Sequence, residues 1–92
     1  MTEKIRVILI NEGDLWVAQG LERDICVQAA SVKDLYGLFD VAVRLEAAEP
    51  GGLERIKPAP KHFLDLWANK AGSVAPDDWG AEDSMIEYGL AA

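Results

Sequence analysis

The sequence holds one cysteine and one histidine in 92 residues. Cys26 has no second thiol with which to close an internal disulfide. With His62 as the sole imidazole, a zinc site lacks its usual ligands. Bases are also scarce, with nine Lys and Arg against sixteen Asp and Glu for a net charge of −7. That balance repels phosphate backbones and argues against sequence-independent nucleic-acid binding. No apolar run approaches the ~18 residues that a membrane span needs. The first ten residues carry Glu3, Lys4 and Arg6 where a signal peptide has its apolar stretch. The expectation is a cytoplasmic protein with no membrane partner.

What is present is enough for a core. Half of the residues are hydrophobic and 27% are charged, and the mean hydropathy is +0.01, which is the composition of one small folded domain. The charge is uneven along the chain. Every base lies between Lys4 and Lys70, whereas Ser73 to Ala92 holds the five acids Asp77, Asp78, Glu82, Asp83 and Glu87 and no base. The same stretch contains Trp79, Met85, Ile86, Tyr88 and Leu90, too apolar for a solvated terminus. We therefore divide the chain into a domain at 1–72 and an acidic, partly apolar tail at 73–92 that is expected to dock.

Lys4 to Ile10 is β-branched and apolar, and Asn11-Glu12-Gly13-Asp14 reads as the turn of a hairpin into a second strand, Leu15 to Leu21. After Glu22-Arg23-Asp24, a third strand runs from Ile25 to Ala29. Both side-chain parities are apolar, Ile5, Val7 and Leu9 alternating with Ile8 and Ile10, so both faces of this sheet need cover. Ser31 is a good N-cap, with Asp34 three residues on. Leu35, Leu38, Phe39, Ala42 and Leu45 then recur at helical spacing until Pro50-Gly51-Gly52, which predicts a helix over Val32 to Ala48. Leu53 to Ile56 is expected as a short strand or extended connector. A second helix is expected over Lys61 to Ala71, with Phe63, Leu64 and Trp67 on one side and Gly72 as its C-cap. The fold class is α+β: a small antiparallel sheet of three to four strands, one long helix on a face and a second short helix, in the order β-β-β-α-(β)-α.

Asp14-Leu15-Trp16-Val17-Ala18-Gln19, Asp24-Ile25-Cys26-Val27-Gln28 and Ser31-Val32-Lys33-Asp34-Leu35 together resemble the core of the HicB-like antitoxin family. The second strand of that family reads W-V-A, its third C-V-x-Q-G, and its helix opens T-L-x-E-A. The match covers about Ile5 to Leu45. It departs from the family at Glu22-Arg23-Asp24, where many members have Pro-Gly, and at Ala30, where they have Gly. Members that repress their own operon add a DNA-binding domain, for which Lys61 to Ala92 has neither paired helices nor a basic surface. The resemblance implies a β-β-β-α unit and binding of a small basic ribonuclease toxin of the HicA type.

No constellation points to catalysis, a metal or a cofactor. Cys26, between Ile25 and Val27, is expected in the core as a small hydrophobe. His62 opens a helix. Ser31, His62 and Asp65 are the residue types of a hydrolytic triad, but Ser31 has a capping role and no nucleophile elbow surrounds it. The HicB unit is likened to a reduced ribonuclease H fold, whose first strand carries a metal-binding aspartate. Here that position falls in Val7-Ile8-Leu9, so the resemblance brings no magnesium site. The β-β-β-α order also resembles double-stranded RNA-binding domains, against which the net charge and the sparse Arg55, Lys57 and Lys61 argue. Two function classes remain. One is an antitoxin that meets a basic ribonuclease through Trp79, Asp77, Asp78 and Tyr88. The other is a stand-alone self-assembling structural or regulatory module. A homodimer is expected through Ile8, Ile10 and Trp16 on an uncovered sheet face.

Overall fold

The computed structural model describes residues 4–74 and 86–92. Among these residues five strands, two helices and one 3-10 turn make an α+β fold, as the patterning predicts. Strands β1 (Ile5–Glu12), β2 (Leu15–Gly20) and β3 (Cys26–Ala29) form the expected antiparallel meander. Its first turn uses Gly13 at φ 73°. Helix α1 spans Val32–Ala48, as read from its punctuation: the Ser31 hydroxyl accepts the Asp34 N–H at 3.2 Å, and Gly51 and Gly52 turn the chain at φ 87° and 56°.

Beyond α1 the structure corrects the expectation in three places. Leu53 to Ile56 is not a strand: Gly52–Arg55 forms a single 3-10 turn. Helix α2 is Lys61–Ala68, shorter than expected, and its C-cap is Asn69, whose side-chain amide donates to the Asp65 carbonyl at 3.0 Å. Gly72 caps nothing and instead opens β4 (Gly72–Val74).

The largest correction concerns the tail. Ile86–Leu90 is a strand, β5, and the sheet order is β3-β2-β1-β5-β4. β5 runs parallel to β1, with Val7 opposite Tyr88, and antiparallel to β4. The sheet is therefore mixed and five-stranded, and the boundary placed after residue 72 falls inside β4. Residues 86–90 are an interior strand of the domain.

Both faces of the sheet are covered, as the double apolar parity demands. On one face Ile5, Val7, Leu9, Ala18, Ile86 and Tyr88 meet Leu35, Phe39 and Val43 of α1. On the other, Ile8 and Leu21 are buried with Trp67 of α2, and Ile10 and Phe63 pack at the margin. Leu64, expected on the inner side of α2 with Trp67, is exposed. Two cations lie near the Trp67 ring, the Lys70 ammonium 4.4 Å and the Arg6 guanidinium 5.7 Å from its centroid. Arg6 is itself held by Glu22, whose carboxylate accepts its backbone N–H at 2.7 Å and its Nε–H at 2.6 Å.

Gly89 of β5 is what lets α2 approach. A Cβ there would stand 2.7 Å from Cζ3 of Trp67 and 2.6 Å from Cδ of Lys70. The lysine stem can move aside, but the packed indole cannot. Replacing Gly89 by Ala should therefore destabilise the fold by about 1 to 3 kcal/mol, the usual cost of overpacking. Chemical denaturation of both proteins measures it.

Candidate interaction surfaces

The sequence-derived site residues do not converge. Asp77, Asp78 and Trp79 lie outside the described residues. Tyr88, expected at a partner surface, is 1% exposed at the centre of the main core. Its ring meets Tyr36 edge-on at 4.8 Å and Phe39 at 6.5 Å. Ile8, Ile10 and Trp16 cannot form one self-association patch, because successive strand residues face opposite ways. Ile10 pairs with Val17 while Asn11 pairs with Trp16, so Trp16 packs under α1 and Ile8 and Ile10 pack under α2. Ile8 is fully buried by the chain itself.

Burial pushes the Tyr88 hydroxyl above its ordinary range, and Asp40 and Tyr36 push it the same way. An unfolded tyrosine ionises near pH ~10, whereas the folded one holds its proton to higher pH. Above pH ~10 the native state therefore binds more protons than the unfolded state, and stability falls as pH rises, by up to about 1.4 kcal/mol per pH unit. Denaturation curves collected above that pH should carry this slope in the natural protein and lose it in Tyr88→Phe.

Cys26 is exposed, not in the core. In the strand alternation Val27 and Ala29 face α1 and Cys26 faces away. Partial burial raises its pKa, and the nearby Asp24 and Glu12 carboxylates raise it further. The thiol is accessible yet held protonated, which makes it a poor nucleophile at neutral pH. Its reaction with a water-soluble disulfide reagent should rise with pH later than that of the unfolded chain. Asp24→Asn should shift that rise to lower pH.

Elsewhere the polar groups do structural work. Ser31 caps α1, His62 stacks on Phe63 at 4.0 Å in the first turn of α2, and Asp65 lies one turn further on. Among the described residues no three His, Cys, Asp or Glu side chains gather as metal ligands, and no helix is long and apolar enough to cross a membrane. The Glu22-Arg23-Asp24 turn is stitched to the rest of the fold. The Arg23 guanidinium donates to the Ile56 carbonyl at 2.9 Å, the Asp24 N–H to the Lys57 carbonyl at 2.7 Å, and the Gln19 side-chain amide to the Asp24 carboxylate at 2.8 Å.

Among the described residues two surfaces stand out. The first is the outer edge of β3, which ends the sheet. Its residues Cys26 to Ala29 are exposed or half-exposed. The connector at 57–59 is stitched to the preceding stretch at 21–24. Asp24 and Glu12 give this edge a negative field, to which the raised Cys26 pKa responds. It carries neither proline nor lysine and is blunted only by its four-residue length, and unpaired edge groups are a template for an added strand. The second surface is the outer side of α1, where Leu38, Val41 and Leu45 are 46%, 51% and 65% exposed. The α1 residues that pack on the sheet are Leu35, Phe39 and Val43, so these three belong to a separate stripe. The sequence hides this stripe because Leu38 and Leu45 recur at the same helical spacing as the inward Leu35 and Phe39. No protein-family model, curated protein or solved structure matches this chain.

Proposed function

We propose that the chain is a non-catalytic, HicB-like protein-binding module, an antitoxin that neutralises a small basic ribonuclease of the HicA type. The observation that carries this reading is the open β3 edge with its acidic surroundings. A partner strand laid against Cys26 to Ala29 gains main-chain hydrogen bonds, while exposed side chains on alternate sides supply selectivity. The carboxylates of Glu12 and Asp24, together with the net charge of −7, steer a basic partner and repel nucleic acid. The β-β-β-α unit that the resemblance implies is present as β1, β2, β3 and α1, which supports the reading without naming the partner.

The test begins with the genes that flank this one. A neighbouring frame encoding a short basic protein supplies the ribonuclease, and its RNA cleavage is titrated with the chain. Stoichiometric inhibition is expected, weakened at least tenfold by Gln28→Lys with Glu12→Lys, because lysines on an edge strand block pairing and reverse its field. Cleavage unaffected by the natural chain would overturn the antitoxin reading. Inhibition undiminished by the double variant would move it away from β3.

A further inference from the structure

A helix that rests on a sheet needs one apolar stripe, and α1 has two. Leu38, Val41, Leu45 and Ala48 follow one another at steps of three, four and three residues, the seam spacing by which one helix packs lengthwise on another. No charged residue interrupts that seam between Leu38 and Leu45. On its flank stand one acid and one base a turn apart, Asp40 and Arg44, which pair with each other at 2.9 Å.

We propose that this stripe docks a second copy of the chain, the two α1 helices packing antiparallel about a two-fold axis beside Val41. Three features of the face select a copy of itself over a foreign partner. Antiparallel pairing centred between residues 41 and 42 sets Leu38 of each chain against Leu45 of the other, so the seam is its own complement, as a two-fold interface requires. The same register brings Arg44 of one chain to within one residue, about 1.5 Å of rise, of Asp40 of the other, twice, so the flanking charges are complementary to themselves and not to a uniformly basic surface. The helix dipoles then oppose, each positive N-terminus beside the other helix's negative C-terminus, which favours the antiparallel sense. One helix seventeen residues long buries little on each side. A contact of that size sits at the small end of specific interfaces, so the dimer is weak and its population depends on concentration.

This inference does not rest on the antitoxin reading, because the stripe lies on α1 and the test contains no ribonuclease. Light scattering of the purified chain from low micromolar to near-millimolar concentration should rise from 10.0 kDa toward twice that mass. Val41→Glu places two like charges at the axis and should hold the mass at the monomer value. Leu64→Glu, at an exposed site on α2, should not. In a Cys26→Ser background, Val41→Cys should cross-link the chain to itself under mild oxidation. A monomeric mass at every concentration overturns the proposal, as does a dimer indifferent to Val41→Glu. A melting temperature lowered by Val41→Glu where the natural chain is monomeric also overturns it, since the stripe would then be covered within its own chain.

Discussion

Replacing Phe39 by alanine is expected to cost about 3 to 5 kcal/mol, the range for emptying a buried aromatic site. Phe39 is fully buried in the middle of α1, between Leu35 and Val43, and its ring meets Tyr88 of β5 edge-on. The site has little freedom to collapse around the loss. Below the ring is Gly20, where a Cβ would stand 3.1 Å from Cζ of Phe39 and 2.6 Å from the Arg23 carbonyl oxygen, so the backbone already lies as near as it can. The cavity stays open, and its cost adds to the lost transfer free energy. A domain of this size holds only ~5 to 10 kcal/mol in total, and each kcal/mol shifts its midpoint by about 4 to 8 °C. Thermal melts should therefore separate the variant from the natural protein by more than ~12 °C. A shift of one or two degrees would mean that the α1 face seen here is not the one that packs.

How far the fold was legible follows from which interactions are local. The bounds of α1 could be read because their causes lie within a few residues: the Ser31 hydroxyl at one end, Pro50-Gly51-Gly52 at the other. The β1–β2 hairpin was legible for the same reason, its turn held by Gly13. Cys26 looks buried in sequence because Ile25-Cys26-Val27 reads as a continuous apolar run, whereas Ile25 precedes the strand and the period of two puts Cys26 outward. Leu38 and Leu45 were misplaced because a helix with two apolar stripes has more apolar positions than a one-sided reading expects. β5 escaped notice although Ile86, Tyr88 and Leu90 alternate correctly. Its acids and Gly89 gave it the composition of a tail, and its partner β1 lies some eighty residues away, a parallel pairing that no local signal announces. The triplet at 22–24 read as a turn, but its ties to Arg6, Ile56 and Lys57 depend on tertiary proximity. The two candidate surfaces follow from these misplaced elements: a β3 edge is recognisable only once the strand order is known, and the α1 stripe only once the buried face is assigned.

Ending the chain after Gly72 should abolish cooperative folding altogether. If residues 73–92 were an appendage, the shortened chain would keep its strands, its helices and its melting temperature. The sheet order argues otherwise, because β5 lies between β1 and β4. Its loss leaves the backbone donors and acceptors of β1 from Ile5 to Leu9 unpaired along one side. It also removes Ile86 and Tyr88 from the core and opens Ile5, Val7 and Leu9 to water. Fully burying side chains of this size contributes about 1.5 to 3 kcal/mol each, so two of them offset most of the stability available to such a domain. The loss extends to the other face, since α2 packs against Gly89 through Trp67 and the Ala71 N–H donates to the Leu90 carbonyl at 2.7 Å. The expected product shows no sigmoidal urea transition, retains at most fluctuating helix from Val32–Ala48 and aggregates through the newly exposed edge of β1. The point variant Tyr88→Ala serves as the graded control. It keeps the β5 backbone and should remain folded in the cold, with a midpoint well below that of the natural chain. A chain ending at Gly72 that unfolds cooperatively at the natural midpoint would require β1 to be stable as an edge strand, which its run of four apolar residues, Val7 to Ile10, together with Ile5, makes untenable in water.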